Sequence, residues 1–299
     1  MSNWPSSLEK LRGTVGIWTF AHESLPADRS GDLAKELESL GYAALWLPEA
    51  WGREAFTNAG LMLRDTSTMV IATGIANIWA RDAVAAQNAA RTLNAAYGDR
   101  FVLGLGVSHR PLVERLRGHE YASPVEAMRD YLEAMDGAPM RAPESDRRSA
   151  RVIAALGPKM LEVGATLADG VHPYLVTPEH TARARAALAD KFVGVEQAVV
   201  LGQSREEFLN RAHLHLNFYT GLENYQNSWR RLGFTDEDFV RGGSERLCDA
   251  LVVHGDEDAV LERVNEHRDA GADHVCLQVL GDETGAAPYD EWRRLSSIL

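Results

Sequence analysis

The arrangement of apolar runs along the chain constrains its fold more than any other feature. Eight short runs rich in β-branched residues alternate with amphipathic segments of helical length. Most of these runs are continuously apolar, as expected for parallel strands that are covered on both faces. Eight strand-then-helix units predict a (β/α)8 barrel rather than an open doubly wound sheet. The predicted strands are residues 14–20, 43–47, 69–75, 101–107, 151–156, 170–176, 191–201 and 274–280.

Two segments depart from the regular alternation. Residues 202–250 are too long for one crossover and predict a helical insertion before the last strand, whereas residues 136–150 predict an exposed loop. The helix after the fourth strand is expected to begin at a capping box formed by Ser123 and Glu126. Barrels of this kind commonly use about 250 residues as one domain, so we interpret residues 1–299 as a single domain.

Charge and hydropathy exclude several classes of protein. The chain has 31 Lys+Arg against 43 Asp+Glu, a net charge of −12, which argues against a non-specific nucleic-acid binder. No run approaches the length of a membrane span, and residues 1–10 lack the apolar region of a signal peptide. The two cysteines do not form a disulfide framework. We therefore expect a cytoplasmic protein that binds neither nucleic acid nor membrane and acts on a small molecule.

The chemistry of such a barrel is expected at the carboxyl ends of the strands. These ends are rich in glycine and aromatic residues, which suits a flat ring system lying against exposed backbone. Trp18, Trp51 and Trp79 are candidate walls of a substrate pocket, and the alternative for each is an ordinary core position. Gly104 and Gly106 do not begin a dinucleotide fingerprint, because His109 stands where its third glycine is required.

Polar candidates at the same ends are few. Gly157, Pro158 and Lys159 open a helix, which suits either a phosphate site or a tight turn with proline at the first helical position. Among the ionisable residues expected at the mouth, Glu49 and His109 are the candidates to deliver a proton to a ring cofactor or its substrate. No group of residues has the spacing of a metal site.

Several strand-end segments together resemble the luciferase-like flavin and deazaflavin oxidoreductases, most closely the branch that uses coenzyme F420. They occur in the order found in that family and extend over nearly the whole chain. The segments are LWLPEAW at 45–51, ATGIAN at 72–77 with Arg81, RFVLGLGV at 100–107, AALGPKM at 154–160, ADGV at 168–171 and GADHV at 271–275.

The resemblance implies a barrel that binds the deazaflavin in its mouth and a non-proline cis peptide at Gly74–Ile75. Many members carry a histidine after the acidic residue of the second strand. Ala50 stands there in this chain, which leaves His109, and next Glu49, as the implied catalytic residues. The implied cofactor contacts are Gly74, Ile75, Asn77, Gly106, Val107, Ser108 and Ala155, with Gly157, Pro158, Lys159 and Tyr174 near the phosphate end.

The resemblance therefore implies an F420-dependent oxidoreductase that transfers a hydride between C5 of the deazaflavin and a small organic substrate. Two alternatives stay open, namely an FMN-dependent monooxygenase and a non-catalytic barrel that binds a flavin or deazaflavin. F420 is anionic, so a chain with a net charge of −12 needs a local basic rim, for which Lys159, Arg183 and Arg110 are candidates. Relatives are often dimers, and we expect a homodimer.

Overall fold

Eight parallel strands close into a barrel in the order in which they occur along the chain. The computed structural model describes residues 4–281 and 286–299. The last strand of the barrel (His274–Val279) pairs in parallel with the first (Thr14–Trp18) and with the seventh (Phe192–Leu201), which closes the sheet. The predicted (β/α)8 barrel is thereby confirmed. The strands are β1 (Thr14–Trp18), β2 (Ala44–Leu47), β3 (Val70–Thr73), β4 (Ala76–Asn77), β5 (Phe101–Gly106), β6 (Ala150–Ile153), β7 (Gly170–Val171), β8 (Phe192–Leu201), β9 (Val252–Gly255) and β10 (His274–Val279).

Two strands lie outside the predicted eight. The two-residue strand β4 pairs with the end of β5, and β9 pairs in parallel with the last four residues of β8. β9 and β10 lie on opposite edges of β8, since Ala198 and Val199 pair with both. β8 is the longest strand, and its upper half extends beyond β7, so it offers β9 a free edge.

Side-chain caps and a left-handed glycine mark the ends of several helices. The Asp82 carboxylate accepts a hydrogen bond from Ala85 N at 2.9 Å, and Gly98 at φ 66° ends the same helix. The capping box at Ser123 is wrong, because Ser123 lies at φ 36° and its side chain makes no cap bond. The helices are α1 (Ser6–Glu9), α2 (Ser30–Ser39), α3 (Ala55–Asp65), α4 (Ala83–Tyr97), α5 (Pro124–Asp136), α6 (Pro158–Leu167), α7 (Pro178–Leu188), α8 (Arg205–Tyr219), α9 (Glu223–Arg231), α10 (Glu245–Leu251), α11 (Glu257–Asp269) and α12 (Tyr289–Leu295).

The insertion between β8 and β9 is helical, as predicted, and consists of α8, α9, a short 3-10 turn and α10. Phe208, Leu216 and Trp229 of this insertion form a second apolar core with Ala198 and Val200 of β8. The insertion thus covers part of the barrel mouth. The predicted loop at 136–150 is largely exposed, as expected. Within the described residues, no helix is both long and apolar enough to cross a membrane.

Large side chains fill the barrel interior, and glycines on neighbouring strands make room for them. Even-numbered residues of the barrel strands face inward, so Trp18, Trp46 and Phe192 share one core. The Trp46 ring stacks on that of His172 with centroids 4.2 Å apart. A Cβ at Gly16 would lie 2.8 Å from His274 Nε2, so that glycine is required by the histidine across from it.

We expect Gly104→Ala to destabilise the fold by about 1–3 kcal/mol, the usual cost of overpacking. A Cβ at Gly104 would overlap the carbonyl oxygen of Thr73, a backbone atom that cannot rotate away. Gly137→Ala is the matched control, because its Cβ would meet only Ala134 O at 3.7 Å. Chemical denaturation measures both variants, and equal stability of the two would contradict this account of the interior.

Candidate active site

The carboxyl ends of the barrel strands meet around a cis peptide bond. This bond joins Gly74 and Ile75, where the resemblance implies it. Trp18 Nε1 donates a 2.8 Å hydrogen bond to the carbonyl oxygen of Gly74, and the Trp18 ring lies 5.0 Å from that of Tyr174. One wall of the mouth therefore runs from the cis peptide through Trp18 to Tyr174.

The glycines at these strand ends serve the packing of the protein itself. A Cβ at Gly74 would lie 2.7 Å from Trp18 Nε1 and 3.1 Å from His172 Nε2, and a Cβ at Gly106 would overlap the side chain of Ile75. Protein atoms thus take the space that was interpreted as room for a ligand against the backbone. The partly exposed Ile75 side chain covers Gly106 and is itself part of the mouth.

The segment after β5 is held by hydrogen bonds to its own neighbours. Trp79 Nε1 donates to the carbonyl oxygen of Val107 at 3.0 Å, and its backbone N–H donates to Asn77 Oδ1 at 3.0 Å. Ser108 lies at φ 56°, and its carbonyl oxygen accepts from Tyr121 Oη at 3.3 Å. The predicted contacts Asn77, Val107 and Ser108 and the predicted wall Trp79 are therefore neighbours in the structure.

Glu49 is fully engaged by the protein. Its carboxylate is 4% exposed and accepts from Asn77 N at 2.8 Å, from Ala55 N at 3.2 Å and from both terminal nitrogens of Arg81. These four donors occupy the lone pairs of both oxygens. The predicted catalytic role of Glu49 thus has no contact to support it, and the arrangement is that of a buried ion pair joining the loops after β2 and β4.

His109 packs against the insertion. Its ring lies 5.7 Å from that of Phe218 and 5.9 Å from that of Tyr225. Burial lowers the pKa of His109 to about 4. The imidazole is therefore uncharged at neutral pH and a poor acid there, which disagrees with its predicted role as a proton donor.

The three predicted tryptophan walls differ in position. Trp51 is 73% exposed and projects into solvent, so it does not line a pocket in this structure. Trp18 is 3% exposed and serves as a buried support for Gly74 and Tyr174. Trp79 is half-buried and lies at the mouth, where its indole N–H is bonded to the carbonyl oxygen of Val107.

A group of cations surrounds the first turn of α6, and we refer to Lys159, Arg183 and Arg231 as the basic cluster. A Cβ at Gly157 would lie 3.5 Å from Arg231 Nη2, and Arg183 Nη1 donates to the carbonyl oxygen of Arg231 at 2.6 Å. Among residues 4–281 and 286–299, no carboxylate forms an ion pair with any of the three. Burial and the neighbouring Arg183 lower the pKa of Arg231.

The basic cluster fits an anion such as a phosphate. Pro158 has no N–H and Met160 N already donates to the carbonyl oxygen of Gly157 at 3.0 Å, so the start of α6 contributes mainly through the helix dipole, which favours negative charge there. Pro158 and Lys159 are exposed at this turn, whereas Ala155 is buried just before it. The sequence at 157–159 suits either a phosphate site or a tight turn. The structure places arginines next to this turn, which favours the phosphate site. Arg231 lies on an insertion helix, and only its tertiary contact reveals it.

Tyr174 is hydrogen-bonded to side chains outside the basic cluster. Its hydroxyl donates to Gln278 Oε1 at 2.9 Å and accepts from Tyr219 Oη at 3.3 Å, and His215 Nε2 is 3.5 Å away. Tyr219 and His215 both belong to insertion helix α8. The prediction that Tyr174 contacts the phosphate end is not supported by this placement.

Sequence reasoning missed two buried polar groups inside the barrel. Glu196 is 1% exposed and its Oε1 has no partner in the described part of the chain; the same holds for Nε2 of His172, which is also 1% exposed. The sequence does indicate that Glu196 is unusual, because it is the one charged residue in the ten-residue strand β8. A charge in a run with both faces covered indicates a special environment.

Two other clusters have structural roles. Cys248 Sγ lies 3.5 Å from His213 Nδ1, but burial raises the pKa of that thiol to about 11 and leaves it unreactive. His267 joins Thr181 to Gln197 within the core. Across the described ranges, no three His, Cys, Asp or Glu side chains come together as metal ligands would.

Comparison with known proteins relates this site to one family. Residues 14–274 match the family model described as luciferase-like monooxygenase. A Mycobacterium tuberculosis protein, provisionally named coenzyme F420-dependent oxidoreductase Rv3520c, is 30% identical over 124 residues. That alignment covers 42% of this chain and 35% of the relative, so it spans about a third of the relative's length.

Two solved structures show the same fold. An F420-dependent secondary alcohol dehydrogenase in complex with an F420–acetone adduct superimposes with a TM-score of 0.73 at 11% identity, covering 97% of this chain and 98% of the other. The oxygenating constituent of 3,6-diketocamphane monooxygenase from Pseudomonas putida, in complex with FMN, gives 0.68 at 15% identity, covering 95% and 96%. The family model matches most of the chain, and the chain folds into this barrel. It therefore belongs to the luciferase-like monooxygenase family.

Proposed function

We propose that the protein is an oxidoreductase that binds coenzyme F420 in the barrel mouth and acts on a small organic substrate. The observation that carries this proposal is the basic cluster at the amino end of α6. Three cations without carboxylate partners in the described ranges lie there, in a chain whose net charge is −12. A local positive site of this kind attracts a multiply charged anionic cofactor against the overall charge.

Coenzyme F420 fits this site better than an uncharged ligand does, since it carries a phosphate and a glutamate tail. The Mycobacterium tuberculosis relative named for F420 gives further support. When bound, the deazaflavin supplies hydride transfer at C5. The residues of the chain bind the anionic end through Lys159, Arg183 and Arg231, hold the strand-end backbone through Trp18, and reduce the access of water through the insertion.

Titration of the purified protein with F420 and with FMN, followed by cofactor fluorescence, tests the proposal. Micromolar binding of F420 with weaker binding of FMN is the expected result. Tight FMN with oxygen-dependent turnover would replace it with the monooxygenase alternative. F420 binding without turnover over a broad panel of alcohols, carbonyl compounds and imines would indicate a non-catalytic binding barrel.

We expect Arg231→Ala to weaken F420 binding by about 10-fold or more, because a hydrogen bond to a charged group contributes about 1.5–3 kcal/mol. The weakening should shrink at high salt, where screening already reduces the attraction. Arg230→Ala is the matched control, since Arg230 lies on the same helix as Arg231 but its guanidinium is paired with Asp236 at 2.6 Å. Equal F420 affinity in both variants would place the phosphate elsewhere.

A further inference from the structure

Glu196 is a carboxyl group inside the barrel that the proposed cofactor site does not use. Its Oε2 accepts a 3.0 Å hydrogen bond from Leu175 N, and its Oε1 has no partner among the described residues. A buried carboxylate with a single hydrogen bond is costly, whereas the neutral acid is less so. Burial accordingly raises the pKa of Glu196 to about 8. The group is thus a proton carrier at neutral pH rather than a fixed charge.

The backbone places this carboxyl beside Tyr174. Glu196 N donates to the carbonyl oxygen of Pro173 at 3.1 Å, and the Glu196 side chain binds the N–H of Leu175, so its bonds bracket Tyr174 on both sides. On the other edge of β8, Glu196 lies in register with Cys276. The titratable groups that its charge influences are Tyr174, Tyr219, Tyr225 and Cys276, all of which hold their protons at neutral pH because burial raises their pKa values.

Tyr174 is the middle member of a short hydrogen-bonded series, in which the Tyr219 hydroxyl precedes it and the Gln278 side-chain amide follows it. Its Oη accepts from Tyr219 Oη at 3.3 Å and donates to Gln278 Oε1 at 2.9 Å. Both tyrosines are partly exposed, and the Tyr174 ring contacts Trp18, which is bonded to the carbonyl of Gly74. This series therefore lies between the buried carboxyl and the cis peptide at which the proposed ring site is centred.

We propose that Glu196 is the proton store of this site, and that the Tyr174–Tyr219 pair passes its proton to and from the oxygen of a carbonyl or alcohol substrate. This assignment rests on the proposed function for its hydride donor. It gives the site a proton source of its own in a chain that has Ala50 after the acidic residue of the second strand. Glu196 is a positioning residue here, and the hydroxyl pair is the group that faces substrate.

The step balances as a carbonyl reduction. The carbonyl carbon gains a hydride from the reduced deazaflavin and forms a C–H bond, while its oxygen takes a proton from a tyrosine hydroxyl and becomes an alcohol. The tyrosine recovers a proton from the Glu196 carboxyl, either after side-chain rotation or through one bridging water, and the carboxylate is reprotonated from solvent. Alcohol oxidation is the same sequence in reverse.

Infrared spectroscopy on the cofactor-free protein tests directly whether the Glu196 carboxyl holds a proton. The wild type should show a protonated carboxyl C=O band that disappears as the pH rises through about 8, and Glu196→Gln should lack it. In the F420-loaded protein, Glu196→Gln should lower the single-turnover rate by about 100-fold, within the usual contribution of acid–base groups, with F420 affinity unchanged. Tyr219→Phe, a second variant on the insertion surface, should lower the rate similarly.

Tyr225→Phe is the matched control, since this ring packs against Tyr219 without a hydroxyl bond in the described ranges. Its rate should equal that of the wild type. A wild-type spectrum without the titrating band, or full rates in both Glu196→Gln and Tyr219→Phe, would overturn the proposal. If the wild type fails to bind F420, the proposed function is what fails, and the infrared band still decides whether Glu196 stores a proton.

Discussion

We expect the protein to lose much of its stability in mild acid, between about pH 6.5 and pH 4, with protonation of Glu196 in the folded chain offsetting part of the loss. The cause is a set of buried histidines, His172, His180, His267 and His274, each at most 4% exposed. Burial lowers the pKa of the first two to about 4 and of the last two to about 3. In this pH range the four histidines therefore bind protons in the unfolded chain but not in the folded chain.

The sign and size follow from proton linkage. A histidine whose pKa is lowered in the folded state contributes its full stability above the ordinary value of 6.5 and loses it as the pH falls toward the folded value. At about pH 5 each of the four costs about 2 kcal/mol, and together they cost about 8 kcal/mol. This is comparable to the whole stability of a typical domain, about 5–15 kcal/mol.

Urea unfolding at a series of pH values measures this loss. His180→Gln should remove one proton from the uptake on unfolding, because the amide can still donate to the carbonyl of Leu156, which lies 3.1 Å from His180 Nε2. His119→Gln is the control, since it makes the same substitution at a histidine that is exposed at the surface. An unfolding midpoint that stays constant from neutral pH to about pH 5 would contradict the linkage.

Loss of the Glu49 carboxylate should destabilise the fold by about 3–5 kcal/mol, the usual cost of leaving a buried ion without its partner. Glu49→Gln replaces an acceptor with an amide that faces Arg81, 12% exposed at its side chain, and the N–H of Ala55. Burial alone would lower the pKa of Arg81, but the hydrogen bond to Glu49 and the charges of Glu49 and Glu54 together raise it. Arginine does not lose its proton in proteins, so the guanidinium stays charged when Glu49 is removed.

A double variant separates structure from catalysis. Glu49→Gln with Arg81→Met removes both charges and should recover much of the lost stability, since no unpaired ion remains. Glu54→Gln is the milder control, because that partner of Arg81 is 47% exposed. Calorimetry and F420 titration are measured on the same samples. A Glu49→Gln protein of wild-type stability that binds F420 without turnover would restore Glu49 as a catalytic residue.

The fold followed from local pattern because each unit of the barrel is short and repeats the same signals. All eight predicted barrel strands are present, and the insertion lies where the crossover was too long. The strand β9 was missed because its four residues gain their partner from the unusually long β8, a pairing about 50 residues away along the chain. Ser123 carried the letters of a capping box, but its backbone at φ 36° turns the side chain away from the cap.

The site was less accessible to local reasoning, since its residues come from distant parts of the chain. Glu49 was predicted as a catalytic residue, but Arg81, Asn77 and Ala55 donate to both of its oxygens. Trp18 is the last residue of β1, and Trp51 follows the end of β2. Trp18 is buried against Tyr174, whereas Trp51 is exposed. Exposure at a strand end depends on what the neighbouring loops cover.

By itself the sequence determined the barrel, the place of the insertion and the candidate phosphate site at 157–159. Hydrophobic periodicity and turn residues are local properties, and they decide which segments become strands and helices. Only the tertiary structure brought Arg231 and Tyr219 of the insertion to the mouth and turned Glu196 into the barrel interior. The physical reason is that the charge and hydrogen-bonding state of a side chain depends on burial and on partners that are remote in the sequence.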